Sequence, residues 1–552
     1  MQTKDSYFKI KATVEEKGFT LCRPVPSDSK CDAVFDGRLA VGHTKVDVRL
    51  EVPDYSFVVH PRVRLRDITQ MPTVLVSHIE TDEGICYSTP GLLRLDPYDP
   101  GGSILLVLQL AKAALERSLA GNAVVDIADE FAAYWKGAPV ELIASTKQDG
   151  RLQLALPLSK TSAKPILLMD SGRSVPSGYE CGRSAYLMRS DKLLQPADNF
   201  IAPSDLVALE AWYKGQDLAK RVAWQKLRER LAKCEIVFLA ASNAIVGMSL
   251  DLPGDVEALR KKEGSVKPSL VEGAMKKRPT SFSLIRYVAS DAQLETVVKR
   301  NMEDGAGSLI GKRVALVGCG TIGSHLARQL AQLGAGCEAT FDLIDPEILS
   351  ASNIGRHLLD FRHIGQPKAE ALANELSEFH PDLNVQARLG RADAFVPILR
   401  QADLIIDATG IEHVAEDLNR RKLTSDSFPP IVHVWLFGNG IAAQAFANLG
   451  SVGKACYRCL RPRLSEPWRF DPRKDVFDPG HAVSGTCGDG VFLPYGVYAS
   501  TSAASLGAQL VHDWASASPT PLLRTRVIDP DRAKILSGRS PDRDPTCPAC
   551  SQ

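Results

Sequence analysis

The sequence predicts a multi-domain α/β protein, with a small α+β unit at the N-terminus and a doubly wound parallel sheet in its C-terminal half. Three observations carry this. Residues 1–140 begin with alternating stretches, "RLAVGHTKVDVRLEVP" and "SFVVHPRVRLRDI", separated by turn residues, which read as antiparallel strands. From about residue 291, apolar runs alternate with helical patterns: "RVALVGCG", "IGSHLARQLAQLG", "ATFDLIDP", "KAEALANELSEFH", "ADLIIDATG", "PIVHVWLFG". That order belongs to a parallel sheet with helical crossovers. Finally, 552 residues are too many for one core.

The elements follow in order. Beyond the first strands, the short turn "SHIETDEGICY" (77–87) carries Cys86. "GGSILLVLQLAKAALERSLAG" then sets apolar residues at helical spacing and closes on Gly. Residues 141–290 are a middle or linker region to which the pattern assigns no function. In it, "SDLVALEAWYKGQDLAKRVAWQKLRERLAKCE" reads as amphipathic helix with a basic face, and "IVFLAAS" as a buried strand. The Lys-, Gly-, Pro- and Ser-rich stretch 261–281 reads as a loop. Residues 291–552 form the third domain.

Composition narrows the function. Hydrophobic content of 44%, charged content of 24% and a net charge of +1 describe a globular chain with no long-range attraction to nucleic acid or anionic membrane. No signal peptide is visible in the first 30 residues, and the longest apolar run, "IVFLAASNAIVGMSL", is too short and polar to cross a bilayer. A cytoplasmic location is expected. Four of the twelve cysteines form two tight pairs, "CYRC" and "CPAC". In a reducing compartment Cys456, Cys459, Cys547 and Cys550 suggest one closed tetrahedral Zn²⁺ site of structural role, with redox-active pairs as the alternative. The second pair lies close to the chain end, which zinc would pin to the core.

"VALVGCGTIGSHLARQL" puts Gly318, Gly320 and Gly323 after a strand and at a helix start, where bare backbone and free N–H groups accept a phosphate. Asp345 ends the next strand, 22 residues after Gly323, where it can take ribose hydroxyls. This much fits NAD as well as ATP. The following residues decide for ATP. Asn353 and Arg356 in "LIDPEILSASNIGRHLL" and Lys368 in "GQPKAEA" cluster donors and cations just past the ribose carboxylate. An adenylating site needs them, because charge grows on the α-phosphate as a carboxylate attacks and pyrophosphate leaves. Asp407, in "LIIDATG", is placed to hold Mg²⁺ with the phosphates. Read without this chemistry, Asn353 and Arg356 brace a turn, Lys368 is an exposed helix-start lysine and Asp407 a strand-end turn residue.

From about 295 to 552 the string "GCGTIGSH … LIDPEILSASNIGRHLL … GQPKAEA … IIDATG … CYRC … TCGDG … CPAC" resembles the ubiquitin-activating superfamily. That superfamily includes the ThiF-like adenylyltransferases of thiamine and molybdopterin biosynthesis. The resemblance implies a Rossmann-like adenylation domain, with ribose contact by Asp345, phosphate contacts by Asn353, Arg356 and Lys368, and Mg²⁺ handling by Asp407. Glu347 stands where the family commonly has a second Asp. Arg300 matches an arginine that often reaches a dimer partner's nucleotide, and a homodimer is implied. Acyl adenylates are labile, and a thiolate can capture one as a thioester. Cys487 in "AVSGTCGDGVFLPYG", flanked by Gly485 and Gly488 in a polar crossover loop, is the acceptor the resemblance implies; an incidental loop cysteine is the alternative.

The N-terminal stretch "VRLEVPDYSFVVHPRVRLRD … SHIETDEGICYSTPG … GGSILLVLQLAKAALERSL" resembles a ubiquitin-conjugating fold, over about 100 residues. His78, Gly84 and Cys86 match its pattern and make Cys86 a second thioester carrier rather than an inert core cysteine. The usual His-Pro-Asn is reduced to His78-Ile79, so the oxyanion-stabilising Asn is missing or supplied from elsewhere, and His78 reads as structural rather than as a base. Asp96 and Asp99 either orient an amine or serve a turn. Cysteines 22, 31, 181, 234, 319 and 337 read as ordinary thiols.

Together these imply ATP-driven activation of a ubiquitin-like protein's C-terminus, transfer to Cys487 and then Cys86, and conjugation to a target amine, with fusion raising the effective concentration of the two modules. Fused chains of this layout resemble those of bacterial phage-defence operons, including CBASS-type operons with a cyclic-nucleotide synthase. The alternatives are a sulfur-carrier adenylyltransferase with an N-terminal scaffold, and a non-catalytic N-terminal binding module.

Overall fold

The computed structural model describes residues 2–22, 31–67, 69, 71, 77–79, 83–88, 91–159, 164–197, 202–216, 224–263, 267–477, 480–484, 491–518 and 520–550. They form two compact units, Met1–Asp291 and Ala292–Gln552.

The first unit opens with helix α1 (Gln2–Glu16) and an antiparallel sheet in chain order: β1 (Thr20–Leu21), β2 (Ala33–Val41), β3 (Thr44–Val52) and β4 (Arg62–Leu65). Alternation places Val46, Val48 and Leu50 of β3 in a core with Ile104, Val107, Ala111 and Leu115 of α2 (Pro100–Arg117). Asp99 caps α2 by accepting from the Gly102 N–H, and Pro100 opens the first turn. A π-turn, Ser118–Asn122, then leads into α3 (Ala123–Asp129) and α4 (Phe131–Trp135).

The middle region contains an element that local pattern did not announce. Strands β5 (Ala138–Leu142), β6 (Gly150–Pro157), β7 (Leu167–Asp170), β8 (Tyr179–Arg189), β9 (Ile236–Ala240), β10 (Ile245–Asp251) and β11 (Ser283–Asp291) close a barrel in the order β10-β11-β5-β7-β6-β8-β9. The "IVFLAAS" run is β9, buried along its whole length. Its Ile236 and Phe238 pack with Leu142, Leu154 and Leu187, while Val237 and Leu239 pack with Leu209 and Trp212 of α5 (Leu206–Gly215) and Leu227 of α6 (Trp224–Ala232). The expected loop at 261–281 is instead largely helical, with the end of α7 (Gly254–Glu263) and all of α8 (Pro268–Lys277). Pro268 suits a helix start, and Val271 and Met275, one turn apart, bury against the barrel's outer core.

The second unit begins with α9 (Leu294–Arg300) and holds a seven-stranded sheet. Its strands are β12 (Val314–Val317), β13 (Phe341–Asp345), β14 (Val385–Leu389), β15 (Leu404–Asp407), β16 (Ile431–Phe437), β17 (Ala442–Asn448) and, after the short pair β18 (Val483–Ser484) and β19 (Val491–Phe492), β20 (Leu523–Val527). The order β14-β13-β12-β15-β16-β17-β20 is parallel as far as β16; β17 pairs antiparallel with both β16 and β20. Val314 and Leu316 face a core with Leu326 and Leu330 of α10 (Thr321–Gln332), Leu372 of α11 (Lys368–Phe379) and Leu510 of α14 (Val497–Ala515). Ala315 and Val317 face Leu399 of α12 (Val396–Gln401) and Leu418 of α13 (Glu412–Thr424). Both faces are covered, as a parallel sheet requires. The chain order reverses at β12, between β13 and β15, so a crevice opens at the carboxyl ends of these strands.

Candidate nucleotide cleft, cysteine turn and metal centre

A cavity of about 1000 Å³ occupies that crevice, lined by Gly318, Gly320, Asp345, Glu347, Arg356, Thr409, Gly410, Leu493 and Tyr495, among others. Gly318 leaves β12 at φ 90°, a backbone conformation L side chains rarely adopt, and a Cβ there would meet Thr409. A Cβ on Gly323 would run into the Gly318 carbonyl. The fold itself therefore admits only glycine at Gly318 and Gly323. Gly323→Ala is expected to lower ATP-dependent pyrophosphate exchange at least about tenfold, read beside nucleotide affinity by calorimetry.

Asp345 is buried, and burial pushes its pKa up, an effect its backbone bonds only partly counter. Its carboxylate accepts from Cys319 N–H at 2.7 Å and Glu347 N–H at 2.8 Å, so it fixes the glycine loop while lining the cleft. Arg356 also reaches the cleft, its guanidinium 4.5 Å from the Tyr495 ring centroid. Asn353 takes a different place: its Oδ1 accepts from the Ser350 N–H and hydroxyl, bracing the turn that presents Arg356. Lys368 is buried at the start of α11, with its ammonium paired to Glu347. That gives the family-atypical Glu347 a partner sequence reading did not assign.

Asp407 ends β15 almost fully buried. Its Oδ1 accepts from Thr409 N–H and Oγ, at 3.1 and 2.7 Å, and its Oδ2 lies 2.9 Å from His433 Nδ1. It lines a smaller cavity of about 210 Å³ that shares Gly410, Ile411, Leu436 and Gly438 with the cleft. Asp407 stands beside, not among, the residues the two cavities share, and a hard carboxylate oxygen is the kind of donor Mg²⁺ takes.

His357 was also missed, although it adjoins Arg356 in "NIGRH". Its Nε2–H donates to the Cys319 carbonyl at 2.7 Å, and its Nδ1 accepts from Leu359 N–H. Burial lowers its pKa to about 4, so it stays neutral and ties the Arg356 turn to the glycine loop.

Cys487 falls in 485–490, outside the described residues. The chain on either side is anchored beside the cleft: the Asn439 amide donates to the carbonyls of His481 and Pro494, and His481 N–H donates to Asn439 Oδ1. Leu493, six residues past Cys487, is already cleft wall. Arg300 lies exposed in the last turn of α9.

In the first unit, Cys86 is half-buried on a turn that pairs with β4 through Arg64 and Gly84. Ile79 bridges Ile85, and Cys86 N–H donates to the His78 carbonyl at 2.8 Å. Asp96 accepts from Tyr98 N–H and Asp99 caps α2, so both serve the turn. His78 Nε2 lies 3.2 Å from Asp126 of α3, a contact no motif announced.

The four paired cysteines converge, their Sγ atoms all within 4.8 Å of one another. Cys456 Sγ lies 3.8 Å from both Cys459 Sγ and Cys547 Sγ, and Cys459 Sγ 3.4 Å from Cys550 Sγ. A tetrahedron with Zn–S arms of about 2.3 Å has edges of about 3.8 Å. The Asp544 N–H donates to Cys459 Sγ and the Asn419 amide to Cys456 Sγ, as metal-bound thiolates require of their surroundings. The donor set fits Zn²⁺.

Known proteins bear on these sites. The ThiF family profile matches residues 293–488, and that of prokaryotic E2 family B matches residues 25–141. The ATP-dependent ubiquitin transferase-like protein Cap2 of Pseudomonas aeruginosa is 30% identical over 520 residues, covering 90% of each chain. The sulfur carrier protein ThiS adenylyltransferase of Escherichia coli is 27% identical over 33% of this chain and 71% of its own. Among solved structures, Escherichia coli MccB aligns at TM-score 0.34 and 19% identity, over 44% of this chain and 65% of that one.

Proposed function

The chain belongs to the family of ATP-dependent ubiquitin transferase-like Cap2 proteins, and from that premise we propose the route by which it activates and conjugates a protein C-terminus. A ubiquitin-like partner lays its C-terminal carboxylate in the cleft of the second unit. The glycine loop at Gly318, Gly320 and Gly323 receives the ATP phosphates, and Asp345 the ribose. Arg356 and Asn353's turn, with Lys368 released from Glu347, neutralise the α-phosphate as the carboxylate attacks and pyrophosphate leaves. Asp407 would be the carboxylate that holds Mg²⁺, which would supply further neutralisation of the phosphate charge.

Cys487 then takes the acyl group, and Cys86, on a ubiquitin-conjugating-like domain at 1–140, receives it for transfer to an amine. Cys487 precedes Leu493 of the cleft wall by six residues, a chain span of at most about 20 Å. The middle domain, 141–290, carries no chemistry in this reading; 291–552 is the activating domain, with a structural zinc. The adenylation domains pair as a homodimer, Arg300 reaching across. The protein works in the bacterial cytoplasm in antiviral defence.

The observation that carries this reading is the single cleft in which the glycine loop, Asp345 and Arg356 meet the chain returning from Cys487. The test is ATP–pyrophosphate exchange with candidate small proteins and peptides bearing a free C-terminal glycine. Tail-dependent exchange is expected. Its absence with every tail, or NAD found in the cleft, overturns the reading. The likeness to the ThiS adenylyltransferase favours a second reading, in which Cys487 carries sulfur to the adenylate and the product is a thiocarboxylate. Mass spectrometry of the modifier separates the two: a thiocarboxylate gains the mass of sulfur in place of oxygen, whereas a conjugate carries a peptide bond to an amine.

A further inference from the structure

We propose that His78 is the base that takes the proton of the amine attacking the Cys86 thioester, and that Asp126 is the positioning residue that holds it ready; this rests on the carrier role proposed for Cys86. The backbone bond from Cys86 N–H to the His78 carbonyl, with the Ile79–Ile85 bridge beside it, keeps the two residues across one narrow turn. His78 has φ 61°, in the left-handed region that few residues with a side chain adopt, His more readily than most. The surroundings are specific. His78 N–H donates to the Tyr134 hydroxyl at 2.6 Å, and Ser77 N–H donates to Ser118 Oγ at 2.9 Å. The segment after α2 therefore fixes both the turn and the ring.

That segment also supplies the carboxylate. His78 Nε2 meets Asp126 Oδ2 at 3.2 Å across 48 residues of sequence. Asp126 accepts as well from the Arg117 guanidinium and the Ser77 hydroxyl. So compensated, a buried carboxylate stays anionic. It draws the ring proton to Nε2 and leaves Nδ1 as the basic nitrogen. The His78 side chain keeps 21% of its surface while Asp126 keeps 3%, so a substrate amine can reach the imidazole and not its partner.

The step balances without a further reactant. The amine nitrogen bonds to the thioester carbonyl carbon, and its proton passes to His78 Nδ1. The carbon–sulfur bond breaks, its electron pair leaving as the Cys86 thiolate. Asp126 stabilises the imidazolium that forms. A thiol nucleophile attacks already deprotonated and does not need this base, and that difference provides the test.

Full-length protein is acylated at Cys86 with a synthetic peptide ending in Gly-Gly, supplied as its mercaptoethanesulfonate thioester. Acylation at other cysteines is subtracted with Cys86→Ser. Discharge into free lysine and into β-mercaptoethanol is followed by intact mass. Asp126→Asn is expected to slow lysine discharge at least about tenfold and His78→Ala about a hundredfold. In both variants thiol discharge stays within about twofold of wild type, and added imidazole restores the His78→Ala reaction in part. Equal slowing toward both nucleophiles, or no slowing, overturns the base assignment and leaves the pair a structural brace. If wild type takes no acyl group on Cys86, the carrier reading itself falls, and this inference with it.

Discussion

Replacing Cys86 with Ala is expected to abolish every conjugate the protein makes while ATP–pyrophosphate exchange continues at the wild-type rate. The separation follows from architecture. Exchange requires the cleft at the ends of β12, β13 and β15, all in the unit Ala292–Gln552, whereas Cys86 belongs to the unit Met1–Asp291. The substitution deletes one half-buried sulfur on a turn held mainly by backbone bonds, so it should cost no more than about 1 kcal/mol. Chemically it removes the atom that must hold the acyl group, and no neighbouring hydroxyl is as good a leaving group for an amine to displace. On a non-reducing gel with ATP and a modifier, the variant should accumulate a single thiol-labile adduct, at Cys487. Cys487→Ala should instead retain exchange and lose both adducts, because the handoff runs in one direction. A Cys86→Ala variant that still forms an amine-linked product would show that Cys86 is no carrier.

How far the sequence disclosed these sites depends on whether their logic is local. The glycine loop was legible because its demands are on the backbone: φ 90° at Gly318 and no room for a Cβ at Gly323 admit no other residue. The parallel sheet was legible because fully buried strands such as Val314–Val317 and Leu404–Asp407 read as continuous apolar runs. The two cysteine pairs declared themselves by spacing. What remained hidden depends on distant partners. The barrel is closed by β11 running parallel to β5, with Tyr287 beside Ala138, and nothing in either strand names the other. Stretch 261–281 has the composition of a loop, and only the burial of Val271 and Met275 makes much of it helix. Asp126 reaches His78 through a π-turn after α2, and Glu347 reaches Lys368 across 21 residues; neither pair leaves a periodic trace. Charged and polar side chains that meet only in the folded state were the residues sequence reading could name but not connect.

The second large effect is expected from the metal centre. Cys547→Ser should release about one zinc per chain, and loss of a structural metal costs on the order of 3–5 kcal/mol. For a unit of this size, that corresponds to a fall in Tm of roughly 6–10 °C for the second unit. The reason lies in what the site ties down. Among the bonds that hold the C-terminal stretch are Ala455 N–H to the Pro541 carbonyl, Arg543 N–H to the Gly453 carbonyl, the exposed Lys454–Asp542 pair at 2.7 Å and the Arg469–Asp544 pair at 3.4 Å. Exposed pairs contribute about 1 kcal/mol at most. Four thiolates on one cation would add a strong tie between residues 547–550 and the core, and without it the tail is expected to fray. The loss should also reach the nucleotide cleft. Tyr457, between the first two ligands, lies 4.5 Å from the His433 ring, and His433 bonds Asp407 in the smaller cavity that shares Gly410, Ile411, Leu436 and Gly438 with the cleft. Trp435 and Trp468 stack 5.5 Å apart beside them, so movement of the Cys456–Cys459 turn has no slack to absorb it. Pyrophosphate exchange should accordingly fall with the zinc content, measured by elemental analysis on the same samples. A strong chelator should reproduce both losses and dithiothreitol neither. The reverse pattern, sensitivity to reductant with no zinc in the protein, would replace the metal with a redox pair and disconnect Asp407 from the chain end.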